Sequence, residues 1–226
     1  TTYKNSTQLN ITKSTFLTIN LDPCDFTGVG SVNLTSNLSC FNKNIILDSG
    51  SLLNVSGATF ILDNTSASFY KVYIAPNGRF IVRNSKNTVW QNDNLTIDGM
   101  YVLQNSTLRL NGTSSSNGSI GVAINATGSF ISNESSLITN GDYGGYRYFF
   151  LVRAGSNFSM VNTIVMNAGW NNSAGQRGLE IDTSVKNFSF NNLTNNYDGV
   201  VFLSDNNLIQ HVISNSNQLY GVLLST

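Results

Sequence analysis

One short strand, written three times near the C-terminal end, constrains the fold more than anything else in this chain. Gly178-Leu179-Glu180-Ile181, Gly199-Val200-Val201-Phe202 and Gly221-Val222-Leu223-Leu224 place their glycines at 178, 199 and 221, intervals of 21 and 22 residues. A unit this short cannot bury its own apolar face and must stack on copies of itself. Helical repeats need roughly 33 residues or more, and no 3.6-residue apolar period runs through the segment. One turn of a β-solenoid per repeat is what remains.

The rest of the chain can be laid over these copies. One column reads Ile74, Ile97, Ile124, Val152, Ile181, Phe202, and a second, two residues upstream, reads Val72, Leu95, Val122, Phe150, Leu179, Val200. Residues two apart on a strand share a face, so both columns can enter one core. Downstream comes an aromatic column of Phe60, Phe80, Tyr101, Phe130, Phe158 and Phe188, ending at Leu208, with Leu62, Val82, Leu103, Met160 and Phe190 two residues further on. A last column reads Phe69, Val89, Leu108, Leu137, Ile164, Leu193, Ile213. Between the second and third strands sits Asn: Asn64, Asn84, Asn105, Asn162 and Asn192, with Asn133 one step early. Asn tolerates left-handed backbone angles, and its amide can bond to its counterpart one coil away. Three coils carry Gly-, Asn- and Ser-rich insertions, at 112–118, 140–148 and 168–176, which should leave the barrel as loops on one side.

The expected fold is therefore all-β, a single-stranded parallel β-helix, right-handed as the resemblance given below implies. An N-terminal cap covers residues 1–44, and about seven coils follow over 45–226, with no cap at the C-terminal end. Residues 1–21 alternate as one or two strands. Cys24 and Cys40 are expected to form a disulfide that staples the cap and, closing a loop of about 15 residues, contributes about 3 kcal/mol.

Composition narrows the function classes. Of 226 residues, 11% are charged against a usual ~25%, and the net charge is zero, which argues against nucleic acid and anionic membrane surfaces. The apolar fraction of 40% is too high for a disordered chain. No apolar run reaches the ~18 residues of a membrane span. The chain opens on Thr1 with no leader-like segment, so a mature protein with its leader removed, or a fragment, is expected. Polarity comes from Asn, Ser and Thr, arranged as sequons well above chance. Glycan acceptors are expected at Asn5, Asn10, Asn33, Asn37, Asn54, Asn94, Asn111, Asn117, Asn125, Asn157, Asn171 and Asn187. The further sequons at Asn64, Asn105, Asn133 and Asn192 coincide with the corner column, where a ladder role is expected instead.

The Gly-φ-x-φ strand start, the Asn-rich corner and the spacing near 22 resemble the right-handed parallel β-helix repeats of the pectate-lyase-like and NosD-like class, from about Ile45 onward. Sequon-dense, charge-poor chains of this kind also resemble archaeal surface-layer and cell-surface glycoproteins. The first resemblance implies polysaccharide chemistry, but the clustered Asp, Gly-His-Gly and Arg-x-Lys motifs of similar polygalacturonases do not occur here. The nearest substitute is an outward group of Asp98, Asn125, Arg153 and Asp182, with Glu180 two residues from Asp182 on the same face. Such acids could hold a cation or act as acid and base, but a solvated surface pair is the stronger expectation. His211, the sole histidine, is expected to be structural. Tyr143, Tyr146, Tyr148 and Trp170 in the insertions could stack on sugar rings or pack at a subunit contact.

The function expected from this reading is a secreted, N-glycosylated structural protein of a surface layer, sheath or filament. It would self-associate, head to tail, without a metal or a cofactor beyond covalent glycans. A polysaccharide lyase or hydrolase, a carbohydrate-binding adhesin, and a donor-strand pilin with a β-sandwich are the alternatives.

Overall fold

The computed structural model describes residues 22–26, 30–63, 71–85, 88–91, 94–112, 120–140 and 146–225. Residues 1–21, with Asn5 and Asn10, therefore lie outside the described residues, as do Asn64, Phe69, Asn117 and Tyr143. Everything described is strand, turn or irregular, and the strands form three sheets of eight.

Sheet A holds Ser31–Leu34, Leu52–Ser56, Arg79–Arg83, Met100–Gln104, Ser129–Asn133, Asn157–Val161, Phe188–Ser189 and Ile209–Gln210. Sheet B holds Leu38–Phe41, Phe60–Asp63, Thr88–Gln91, Thr107–Asn111, Ser136–Thr139, Thr163–Met166, Asn192–Thr194 and Ile213–Asn215. Sheet C holds Ile45–Leu47, Lys71–Ile74, Asn94–Ile97, Gly121–Ile124, Phe149–Val152, Gly178–Ile181, Asp198–Phe202 and Val222–Leu224. The chain visits A, B and C in turn and repeats, and each strand pairs in parallel with its counterpart one rung away. This is a parallel β-helix. A sandwich of antiparallel sheets, as the pilin alternative requires, is ruled out by these parallel pairings. The ladders start at Ser31 rather than Ile45, which makes eight rungs instead of about seven.

Sheet C follows the sequence columns residue for residue. Leu47, Ile74, Ile97, Ile124, Val152, Ile181, Phe202 and Leu224 form one continuous ladder, and Ile45, Val72, Leu95, Val122, Phe150, Leu179, Val200 and Val222 form the other. In two of the three copies the glycine of the recurring strand has a steric cause. A Cβ on Gly178 would lie 2.1 Å from the Asp198 carbonyl oxygen, and one on Gly199 would lie 2.1 Å from that of Gly221.

The other columns need correction. In sheet A, Leu53, Phe80, Tyr101, Phe130 and Phe158 are in register, but Phe188 pairs with Met160, and Ile209 rather than Leu208 follows it. Phe60 and Leu62 belong to sheet B and reach the same core from another wall, Phe60 lying 6.0 Å from Phe80 between ring centroids. In sheet B the continuous column is Thr88, Leu108, Ile138, Val165, Leu193 and Ser214. Leu137, Ile164 and Ile213 are one residue off that register and face outward, and Phe190 is exposed at a corner. A single-residue shift turns a strand residue to the other face, and Ile and Leu occur on both faces here, so hydropathy did not fix the register.

Inside, rings pack edge-on or stacked from Phe26 through Phe60, Phe80, Tyr101 and Phe130 to Phe158, with centroids 5.4–6.1 Å apart. Polar atoms at the turns are closed by coil-to-coil bonds. After the A-to-B corner an inward column of Ser85, Ser106, Ser136 and Thr163 runs along the stack; the Ser106 hydroxyl accepts from the Ser85 amide at 3.1 Å, and the Ser136 hydroxyl from the Ser106 amide at 3.3 Å. Asn191 continues the column, its side-chain oxygen accepting from the Thr163 amide at 3.0 Å.

The Asn ladder exists, in two places. At the A-to-B corner Asn84, Asn105 and Asn162 have positive φ, and Asn105 donates to Asn84 at 2.9 Å. At the B-to-C corner Asn167 donates to Asn140 at 2.7 Å, and Asn195 donates to Asn167. Asn133 and Asn192 are not corner residues: both lie within strands, and the left-handed positions are taken by Glu134 and Phe190.

Of the expected cap, residues 1–21 and 27–29 lie outside the described residues, and Ser31–Leu34 and Leu38–Phe41 are strands of the first rung. Cys24 and Cys40 are disulfide-bonded with Cα atoms 5.7 Å apart. Phe26 is buried against Phe60, and Lys43 pairs with Asp22 across the same segment.

Candidate functional site

The three expected insertions all fall between sheets B and C, at 112–120, 140–148 and 167–177. The last is fully described. It is a closed loop whose ends meet, since Gly169 abuts Arg177 and Gly178 closely enough that a Cβ there would lie 2.3 Å from their backbone. Trp170 is half-buried in it. Tyr148 is not a surface ring. It is fully buried, its hydroxyl donates to the Ile138 carbonyl at 3.3 Å, and burial pushes its ionisation far above the usual tyrosine range. The expected sugar-stacking group therefore loses Tyr148, leaving half-buried Tyr146 and Trp170 among the described residues.

The outward group around Asp98 and Asp182 is real as a row. Consecutive rungs place Asp98, Asn125, Arg153 and Asp182 at the same point just beyond sheet C, each amide donating to the strand below. Glu180, however, does not share an open face with Asp182. Glu180 is 4% exposed and accepts from the Arg177 amide at 3.0 Å, whereas Asp182 stands in solvent. One acid locks the loop and the other is hydrated, so the two do not form a working pair. Asp198 lies beside the same loop, fully buried, with one oxygen accepting from the Tyr220 amide at 3.0 Å. Burial holds its carboxyl above the usual range; the Tyr220 bond and Arg177 oppose this and Glu180 adds to it. Sequence patterning overlooked Asp198 because it precedes the recurring Gly199 and stands in no column.

Asp98 is the acid with a built setting. The Tyr73 hydroxyl donates to one carboxylate oxygen at 2.8 Å and the Asn125 amide to the other at 2.8 Å. The same contact raises the Tyr73 ionisation above its ordinary value, chiefly through the hydrogen bond. Asp98 also borders a groove of about 520 Å³ lined by Gly50, Asn77, Gly78, Arg79, Gly99, Met100, Thr127 and Ser129. The groove has a simple origin. The C-to-A corner takes four residues at 75–78 and four at 125–128, but the rung between turns with only Asp98 and Gly99. The tighter corner works because Gly99 lacks a Cβ, which would lie 2.3 Å from the carbonyl oxygens of Ala75 and Gly78. The result is a notch with a carboxylate at its floor.

The expected glycan acceptors divide by accessibility. Asn33, Asn37, Asn157 and Asn187 are exposed; Asn54, Asn94, Asn125 and Asn171 are half-buried. Asn111 is 4% exposed at the end of a sheet B strand, so a glycan there would require the side chain to leave its seat. At Asn37 and Asn187 the side-chain oxygen accepts within the chain, from the Thr59 amide at 2.8 Å and the Ser189 hydroxyl at 3.2 Å, which leaves the nitrogen as the end turned to water. Asn54, Asn125 and Asn157 donate their nitrogens to Asn33, Asp98 and Ser129, as Asn105 does to Asn84 on the ladder, so a glycan at any of these shares its nitrogen with a hydrogen bond.

His211 sits exposed at the A-to-B corner with positive φ, stacked on the Phe190 ring at 4.6 Å. Among the described residues no cluster of three His, Cys, Asp or Glu side chains could hold a metal ion, and no helix is long and apolar enough to cross a membrane. Comparison with known proteins finds no matching family model, no matching curated protein and no matching solved structure.

Proposed function

We propose that this chain is a structural glycoprotein of a cell surface, exported and N-glycosylated, whose β-helix serves as a rigid rod. The observation that carries the reading is the placement of sequon side chains on the outside of a stack held by ladders rather than by charges. Asn33, Asn37, Asn157 and Asn187 project from turns and sheet A, where a sugar adds bulk without disturbing a core contact. The disulfide fits an oxidising compartment. The resemblance to surface-layer glycoproteins points the same way.

Self-association is the second half of the proposal. Phe41 and Ile164 stand exposed on the outer face of sheet B, with Phe190 exposed at the neighbouring corner. Contact between the sides of two rods would cover these apolar side chains.

Intact-mass measurement of the exported protein before and after enzymatic or chemical deglycosylation tests the first half. Mass lost in glycan steps, mapped by peptide analysis to Asn33, Asn37, Asn157 or Asn187, is the expected result; an unmodified chain overturns it. Sedimentation over a hundredfold concentration range tests the second half, and a monomer throughout would remove self-association.

A further inference from the structure

We propose that the notch over Asp98 is a seat for one pyranose ring. The argument is geometric first. Flanking corners two rungs apart are separated by about 9.6 Å, twice the strand spacing, and the chain itself takes up about half of that. What the missing corner leaves is a slot about one rung, ~4.8 Å, thick. A saturated six-membered ring matches such a slot, whereas a peptide strand would need open edges that the C-to-A corner does not offer.

The lining has the chemistry of sugar recognition. A carboxylate has about four acceptor positions, and Tyr73 and Asn125 take two of those on Asp98. The remainder are available to ring hydroxyls. Arg79, exposed on the lower wall, supplies donors, and Thr127, exposed on the upper wall, is held by its hydroxyl bond to the Asp98 carbonyl at 3.1 Å. Met100 offers an apolar patch for a C–H face. The floor is pre-organised, since both Asp98 oxygens are fixed by neighbouring rungs before any ligand arrives, which lowers the ordering cost of binding.

The ring can come from two sources. Asn125-Ala126-Thr127 is itself a sequon, and the Asn125 nitrogen points at Asp98 from the next rung. A glycosylated Asn keeps one N–H, so that bond can persist while the first sugar lies along the slot. This source rests on the glycoprotein reading. A free saccharide, including a glycan on another copy, does not.

The experiment has two arms. In the first, the protein produced without glycosylation is titrated with glucose, galactose, mannose and N-acetylglucosamine while backbone amide shifts are followed by NMR. The expected result is a roughly millimolar Kd for at least one of them, with shifts confined to Arg79, Gly99, Met100 and Thr127. Thr127→Trp should weaken it at least tenfold, and so should replacing Asp98-Gly99 with the four-residue corner Ala-Pro-Asn-Gly; circular dichroism confirms that each variant folds. In the second arm, glycopeptide analysis of the exported protein reads occupancy at Asn125, and Asp98→Ala should make that glycan more accessible to endoglycosidase. Binding in the first arm assigns a free ligand, and a protected glycan in the second assigns the attached one. Absence of both overturns the proposal while leaving glycans elsewhere, and the structural reading, intact. Saccharide binding in the first arm, with the exported protein free of glycans in the second, would instead sink the glycoprotein reading alone.

Discussion

The two ends of this rod are built on different rules. At the N-terminal end, residues 22–26 lie across the first rung; Phe26 is buried, a disulfide ties the segment to sheet B, and Asp22 meets Lys43. At the other end the rungs from Phe188 onward have two- and three-residue strands in sheets A and B, inward Asn in place of inward Ser, and apolar side chains in solvent. Stability in a stack is a sum of neighbouring interfaces, so rungs paired through two- and three-residue strands should open before those in the middle. The first end gains from a covalent tie, and the last relies on buried amides.

The largest effect should come from neither end. Phe130 is fully buried at the middle of the ring column, and Phe130→Ala should cost about 3–5 kcal/mol, read as a fall in thermal midpoint and a split of unfolding into two halves. A single transition with a small shift would mean that the column is not the continuous core. Next comes the staple. Cys24→Ser with Cys40→Ser should cost about 3 kcal/mol and speed amide exchange in Ser31–Leu34 and Leu38–Phe41, leaving the last rungs unchanged. Equal acceleration everywhere would break the picture of separate ends.

Smaller still is the amide that holds the seventh rung. Asn196 is fully buried, accepts from the Ala168 amide at 2.8 Å and donates to the Val165 carbonyl at 3.1 Å. Asn196→Ala strands both partners and should cost about 2 kcal/mol, with fast exchange at the Ala168 amide and in residues after 188. Phe190→Asn should go the other way. Phe190 holds a left-handed backbone angle that costs a non-Gly residue about 1–2 kcal/mol and Asn less. The gain, read as slower exchange after 188, is reduced by loss of the ring stack on His211.

The smallest prediction concerns pH. The carboxyl of buried Asp198 titrates above its unfolded value, so the folded state binds the proton more tightly than the unfolded chain. Its contribution is greatest at acid pH, below the unfolded value, and is lost as pH rises through the folded value. Asp198→Asn keeps an acceptor for the Tyr220 amide and cannot ionise. It should raise the thermal midpoint at pH 7 relative to the parent and bring no such gain at pH 3. A rise at both pH values would mean the effect is packing rather than charge.

Much of the rod was legible in the sequence, and the reasons are local. Sheet C could be read residue for residue because its strands face the core with apolar residues two apart, and three of them carry at their start a glycine, Gly121, Gly178 or Gly199, that a neighbouring carbonyl forces. Sheets A and B were readable only as strands. Their outer faces also carry Ile, Val and Leu, as at Ile81, Val102, Leu137 and Ile164, so alternation does not say which face is inside. Asn at the corners was visible as a repeat, but its second ladder at Asn140, Asn167 and Asn195 was hidden by insertions of unequal length.

What the sequence determined by itself is the period, the parallel stacking it enforces, the pairing of Cys24 with Cys40 and the positions of the sequons, because each depends on spacing along one chain. The tertiary structure decided the rest. Only there is Glu180 buried while Asp182 is hydrated, Tyr148 spent on the core, and Asn111 withdrawn from its surface. Only there does a two-residue corner between two four-residue corners open a notch at Asp98. Those outcomes depend on which residues become neighbours one rung away, some 20 to 30 positions along the chain, and on the space that their turns leave or fill.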